Sequence, residues 1–98
     1  MKIVLIGGHD RMHQEYKGIC AKQGYGIKVY TQMPVNLEKV IGRPDCIVIF
    51  TSTVSHVMVH AAVKAAKSRN IPLLRSHSSS ATSLGEILKQ FEEQVTCA

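Results

Sequence analysis

The run Cys46-Ile47-Val48-Ile49-Phe50 constrains the fold most, because it is five apolar residues in succession with β-branched side chains at its centre. A strand with one wet face alternates apolar and polar residues, so an unbroken run of this length is the pattern of a strand covered on both faces of a parallel sheet. The run stops at Thr51-Ser52-Thr53-Val54-Ser55-His56. From roughly Ser55 to Arg69 the residues Val57, Val59, Ala61, Ala62, Val63, Ala65 and Ala66 predict a helix. So many small residues imply close packing against a sheet or another subunit. At the start of the chain Lys2-Ile3-Val4-Leu5-Ile6, stopped by Gly7-Gly8, repeats the buried-strand pattern.

The stretches between supply the remaining elements. Asp10 is placed to cap a helix reaching about Gln23, with Met12, Tyr16, Ile19 and Cys20 as its buried stripe. Gly24-Tyr25-Gly26 ends it, and the partial alternation of Ile27-Lys28-Val29-Tyr30 suits a strand at a sheet edge. Pro34 opens a short helix through Ile41, with Val35, Leu37, Val40 and Ile41 as its apolar face and Gly42-Arg43-Pro44 as its stop. Ile71-Pro72-Leu73-Leu74 reads as a fourth strand. Proline has no N–H for a ladder, so this strand is at an edge or begins at Pro72. A serine-rich turn, Ser76 to Ser80, leads to a last helix, where Ser83-Leu84-Gly85-Glu86 fits a capping box and Leu84, Ile87, Leu88 and Phe91 form the stripe. Four strands alternating with four helices predict one α/β domain over residues 1–98. It is a small open parallel sheet in the order 2-1-3-4 flanked by helices, Rossmann- or flavodoxin-like.

At 98 residues the chain exposes a large share of its surface, which favours association into a homodimer. No apolar run approaches the roughly 20 residues that span a bilayer, so no membrane partner is expected. The run after Met1-Lys2 is too short for the core of a signal peptide, and no small-residue cleavage site follows it; the cytoplasm is the expected location. Cys20, Cys46 and Cys97 are odd in number and widely spaced, which fits neither a disulfide framework nor a zinc knuckle. Cys20 and Cys46 fall on apolar faces and read as small buried hydrophobes. The formal charge of +5 suits a small anionic ligand. Its cations are scattered, with no aromatic interleaving and no basic helical stripe, which argues against nucleic acid.

In a sheet of this order ligands bind beyond the carboxyl ends of the strands, where the order reverses between the first and third. The loops there are Gly7 to Asp10 and Thr51 to His56. His9, His56 and His77 each follow a strand at this edge, and imidazole is both a common metal ligand and a proton carrier near neutral pH. His9/His13 and His56/His60 are also each four apart, but neither pair encloses the Glu of a zinc protease. His13 and His60 share their stripes with Lys17 and with Lys64 and Lys67, which marks a wet face. Hydroxyls are the second concentration: Ser52, Thr53 and Ser55 with Thr51 at one helix start, and Ser76, Ser78, Ser79, Ser80, Thr82 and Ser83 at the other. They serve as ordinary N-caps or hold phosphate or carboxylate, with Arg11 and Arg75 adding charge-assisted bonds. Gly7-Gly8-His9-Asp10-Arg11-Met12 is not a dinucleotide fingerprint, no P-loop occurs, and no Cys-x-x-Cys-His attaches a haem covalently.

Gly7-Gly8 after the first strand, Thr53-Val54-Ser55-His56 after the third, Val63-Lys64 in the next helix and Ile71-Pro72 opening the last strand together resemble a family of small bacterial proteins, domain of unknown function twenty-three twenty-five. The likeness covers nearly the whole chain. It implies a bacterial origin, an α/β fold and importance for Gly7, Gly8, Ser55, His56 and Lys64, and identifies no ligand. Family members often carry Asp-Cys before Val-Ser-His and Arg after the paired glycines, where this chain has Ser52-Thr53 and His9. That departure disfavours a thiol chemistry in this loop and favours an imidazole one.

These readings converge on a non-enzymatic ligand-binding protein that holds a b-type haem or a divalent transition metal at the carboxyl edge. His9 and His56 are the expected ligands, facing each other across the reversal, and His77 is a third. Arg11, Arg75 or Lys64 would pair haem propionates, and two subunits would share the group because so short a chain hardly encloses it. The alternatives are a binder of a phosphate- or carboxylate-bearing small molecule at the hydroxyl-rich helix starts, and an enzyme or phosphoryl carrier using His56 or His9.

Overall fold

The computed structural model describes residues 2–32 and 37–96. Four parallel strands, β1 (Lys2–Ile6), β2 (Gly26–Tyr30), β3 (Cys46–Phe50) and β4 (Leu73–Ser76), form one sheet in the order β2-β1-β3-β4. Ile3 aligns with Ile27 on one side and Cys46 on the other, and Ile47 aligns with Leu73. The helices are α1 (His13–Lys22), preceded by a 3-10 turn over Asp10–Met12, α2 (Leu37–Ile41), α3 (His56–Arg69) and α4 (Ala81–Thr96). The expected opening of α2 at Pro34 and Val35 lies outside the described residues, as do the side chain of Val40 and Cys97.

The continuous apolar strands follow from cover on both faces. Val4, Ile6, Ile47 and Ile49 pack under α2 and α3 against Leu37, Ile41, Met58, Ala62, Ala65 and Ala66. Their alternate neighbours Ile3, Leu5, Cys46, Val48 and Phe50 pack under α1 and α4 against Tyr16, Cys20, Leu84, Leu88 and Phe91. Every residue of β3 is buried. The period of two along each strand thus divides one apolar run between two half-cores.

Three element ends differ from the sequence expectation, each for a visible reason. Asp10 does not cap α1, because its carboxylate accepts a hydrogen bond from the Thr31 hydroxyl and lies 3.9 Å from His13 Nε2. The 3-10 turn takes the place of the cap. The last helix starts at Ala81 rather than Ser83, since Ser80 Oγ accepts from the Ser83 N–H at 3.1 Å. Glu86 is therefore not part of a capping box. The fourth strand starts at Leu73: Ile71 donates its N–H to Ala66 at 2.9 Å as part of the end of α3, and Pro72 contributes only its carbonyl, to Ile47. Asn70, in the left-handed conformation at φ 54°, turns the chain between them. β4 is an edge strand and Pro72 lies just before it, so the missing N–H costs the ladder nothing.

Burial fixes the chemistry of two thiols and two phenols. It raises the Cys20 pKa from 9.0 to about 11 and, with the nearby Asp45 charge adding to it, the Cys46 pKa from 9.0 to about 12. Tyr25 rises from 10.0 to about 12, through burial and then through its hydrogen bond to the Glu92 carboxylate. Tyr16 is also raised, by burial first. Neither thiol is therefore a nucleophile at neutral pH. Each group keeps its proton in the fold at a pH where the unfolded chain loses it, so its contribution is fully present below the unfolded pKa and is lost as pH rises through the folded one. Stability measured by urea unfolding is expected to decline from pH 9 toward about pH 12. Cys46→Ala should flatten that decline, and a flat wild-type profile from pH 9 to 11 would contradict the burial of these groups.

Candidate functional site

Three loops meet at the carboxyl edge, and Gly7, Gly8, Thr53 and Ser79 join them. Gly7 (φ 100°) and Gly8 (φ 88°) turn the chain after β1 through conformations that side chains resist. The Gly8 N–H donates to Thr53 Oγ1 at 2.7 Å, and Thr53 Oγ1 lies 3.0 Å from Ser79 Oγ. Ser79 is buried, and its carbonyl accepts from the Tyr16 hydroxyl at 2.6 Å. That hydroxyl also accepts from the His9 N–H at 3.4 Å, while the Tyr16 ring stands 5.5 Å from that of Phe50. One buried tyrosine thereby connects the loop after β1 to the loop after β4. A buried phenol needs a polar partner, and here it has one on each side.

Above these contacts lies a depression of about 560 Å³, lined by His9, Met12, Ser52 and the run from His77 to Ser80. It opens to solvent, and its volume falls within the roughly 300–1,000 Å³ of small-molecule sites. His9, Ser52 and His77 are all exposed at its rim. His56 does not join them. It lines a second depression on the outer face of α3 with Val57, His60, Ala61 and Lys64. His9 and His77 therefore share a site, and the pairing of His9 with His56 across the reversal is not what the structure places there. Arg11 and Arg75 are exposed and line neither depression.

The hydroxyls divide by task. Ser55 caps α3, its Oγ accepting from the Met58 N–H at 3.3 Å. Thr53 and Ser79 are occupied in joining the loops, with Ser52 Oγ 3.4 Å from Ser79 Oγ. Ser78, Ser80 and Ser83 form a chain of hydroxyl contacts at 3.2 and 2.9 Å. Ser52 and Ser78 to Ser80 still line the depression, so their oxygens remain within a ligand's reach. Gly7 and Gly8 shape the loop from beneath rather than presenting donors to the depression: a Cβ on Gly7 would stand 2.5 Å from Val54 Cγ1, and one on Gly8 2.8 Å from the Tyr16 ring.

The donor set in the depression is two imidazoles and one thioether, with hydroxyls around them. His/His and His/Met are axial pairs for a haem iron, so these donors suit that group, while Met12 is the one apolar side chain in the lining and its sulfur accepts from the Tyr16 hydroxyl at 3.6 Å. A closed metal cage is not assembled, since among the described residues no group of three or more His, Cys, Asp or Glu is placed to hold an ion. Met12 and Tyr16 were visible in the sequence only as members of a helical stripe. Met12 reaches the depression because the 3-10 turn places it between His9 and α1.

A family model described as an uncharacterized protein conserved in bacteria (DUF2325) matches residues 2–91. The chain belongs to this family. The resemblance first carried by Gly7-Gly8 and Val54-Ser55-His56 is thus established for the whole fold, from β1 into α4. No curated protein matches the sequence. Among solved structures, a de novo designed Rossmann fold protein is similar, with a TM-score of 0.64 at 18% identity over 95% of this chain and 99% of that one. At that identity the likeness concerns the fold alone. Among the described residues no helix is long and apolar enough to cross a membrane.

Proposed function

We propose that this member of the DUF2325 family is a non-enzymatic binding protein of the bacterial cytoplasm that takes a b-type haem in the depression between the loops after β1 and β4. The observation that carries this reading is the convergence of His9, Met12 and His77 on one concave surface. When bound, the haem would supply an iron whose axial positions an imidazole and a second imidazole or thioether can fill. Since the depression is open, a second copy of the chain is the wall that completes it, and the 98-residue domain gains buried surface from the same contact. Arg11, Arg75 and Lys64 do not line the depression, and Arg11 and Arg75 adjoin the lining residues Met12 and His77 in sequence.

Titration of the purified protein with haemin tests this. A Soret band that shifts from the free-haem position and saturates at a fixed haem-to-chain ratio is expected, and His77→Ala should weaken binding about tenfold or more, as loss of an iron ligand does. His56→Ala should leave it unchanged. Equal binding by wild type and the His9→Ala, His77→Ala double variant would overturn the reading.

The hydroxyls in the same depression favour a second reading, a phosphate- or carboxylate-bearing small molecule held by Ser52 and the Ser78 to Ser80 run. It predicts thermal stabilisation by such anions that survives loss of both His9 and His77. An enzyme based on these imidazoles has less support, because no acidic side chain lines the depression to orient either ring.

A further inference from the structure

We propose that His56 and His60 form a second, separate site, a two-imidazole chelate for a divalent transition-metal ion on the outer face of α3. Residues four apart on a helix stand about 5–6 Å between Cβ atoms, a separation that lets two ring nitrogens reach one ion at roughly 2.0–2.1 Å each. Both histidines are exposed, and both line the same depression. Their placement is set by the core: Met58, Ala62, Ala65 and Ala66 are buried against the sheet, so the stripe bearing His56 and His60 faces outward. The first turn of α3 is held by the Ser55 cap, which keeps His56 in helical register with His60. A helix fixes the backbone separation of the pair before the ion arrives, so binding orders only the two side chains.

The surroundings select the ion. Val57, Ala61 and Lys64 complete the lining, and no carboxylate is present in it. Calcium and magnesium need oxygen ligands, which this lining does not concentrate. Imidazole nitrogens instead favour copper(II), nickel(II) and zinc(II), with copper(II) tightest. Val57-Met58-Val59 between the ligands supplies no general base, so this is a binding site and not a hydrolytic one. Two protein ligands leave further coordination positions to water, which makes the ion exchangeable.

Calorimetric titration of the full chain with copper(II) and then zinc(II) tests the site. In the His9→Ala, His77→Ala background one ion per chain is expected, copper(II) tighter than zinc(II), with no binding of magnesium or calcium. In that background His60→Ala and His56→Gln should each weaken copper(II) at least about tenfold, the loss of one of two ligands. The His9→Ala, His77→Ala double variant should bind copper(II) on α3 as wild type does, which separates this site from the haem depression. Circular dichroism of His60→Ala should show an intact fold, since the side chain is exposed. Unchanged copper(II) affinity when His60→Ala is added to the double variant, or its loss only when His9 and His77 are removed, would overturn the proposal.

Discussion

Replacing Gly7 with Ala is expected to lower the melting temperature by about 15 °C or more, a cost of about 3–5 kcal/mol in a domain of this size. Two effects add at this position. Its φ of 100° lies where an L side chain is strained, and the new Cβ would stand 2.5 Å from Val54 Cγ1 and 3.1 Å from both the Phe50 carbonyl oxygen and Thr53 Oγ1. Neither the strand end nor the loop can retreat easily, because the Gly7 N–H is bonded to the Tyr30 carbonyl at 2.8 Å and Thr53 is bonded to Gly8. Gly24 supplies the control. It also has positive φ, at 78°, but a Cβ there meets nothing within 4 Å. Gly24→Ala should cost only the backbone part, about 1 kcal/mol. The difference between the two variants measures the close approach of the loops after β1 and β3. Equal melting temperatures for the two would mean that approach is absent.

Tyr16→Ala should be comparably damaging, at about 3–5 kcal/mol, because the ring is fully buried against Phe50 and fills the space beneath Gly8. Tyr16→Phe separates packing from bonding. It keeps the ring and leaves the Ser79 carbonyl and the His9 N–H without the hydroxyl that serves both, at about 1–3 kcal/mol. Because His77 lies two residues from Ser79 and His9 is the other end of the same contact, the phenylalanine variant should also weaken haemin beyond what stability alone explains. Chemical denaturation and haemin titration of the same preparation give both quantities. Unaltered haemin affinity in Tyr16→Phe would show that this hydroxyl does not position the loops for binding.

Most of the fold was legible because the parallel sheet leaves a plain record. Cys46 to Phe50 and Ile3 to Ile6 are apolar on every residue since each faces one of two half-cores, and that demands helices on both sides. Right-handed crossovers then leave the order 2-1-3-4. Element ends were harder, since they depend on competition between single polar groups. Asp10 has the identity of a cap and is engaged by Thr31, while Ser80 caps the helix that Ser83 was expected to begin. The site was half legible. Proximity in sequence to a strand end put His9 and His77 at the right edge. His56 has the same proximity, but its spacing of four from His60 and eight from Lys64 places it on the wet stripe of α3. Helix phase outweighs nearness to the strand end, because the buried positions from Met58 to Ala66 fix the rotation of the whole helix.

A cleft of about 420 Å³ at the opposite edge, rimmed by Lys2, Lys28 and Arg43, offers a competing location for any anion. Amide shift mapping of the isotopically labelled protein during haemin titration distinguishes the two edges directly. Perturbation and broadening are expected to concentrate at Gly8, His9, Met12, Ser52 and His77 to Ser80, with Lys2, Gly26, Lys28 and Arg43 unmoved. Changes confined to the latter group, or spread without focus over the surface, would contradict the assignment of the ligand site to the carboxyl edge of the sheet.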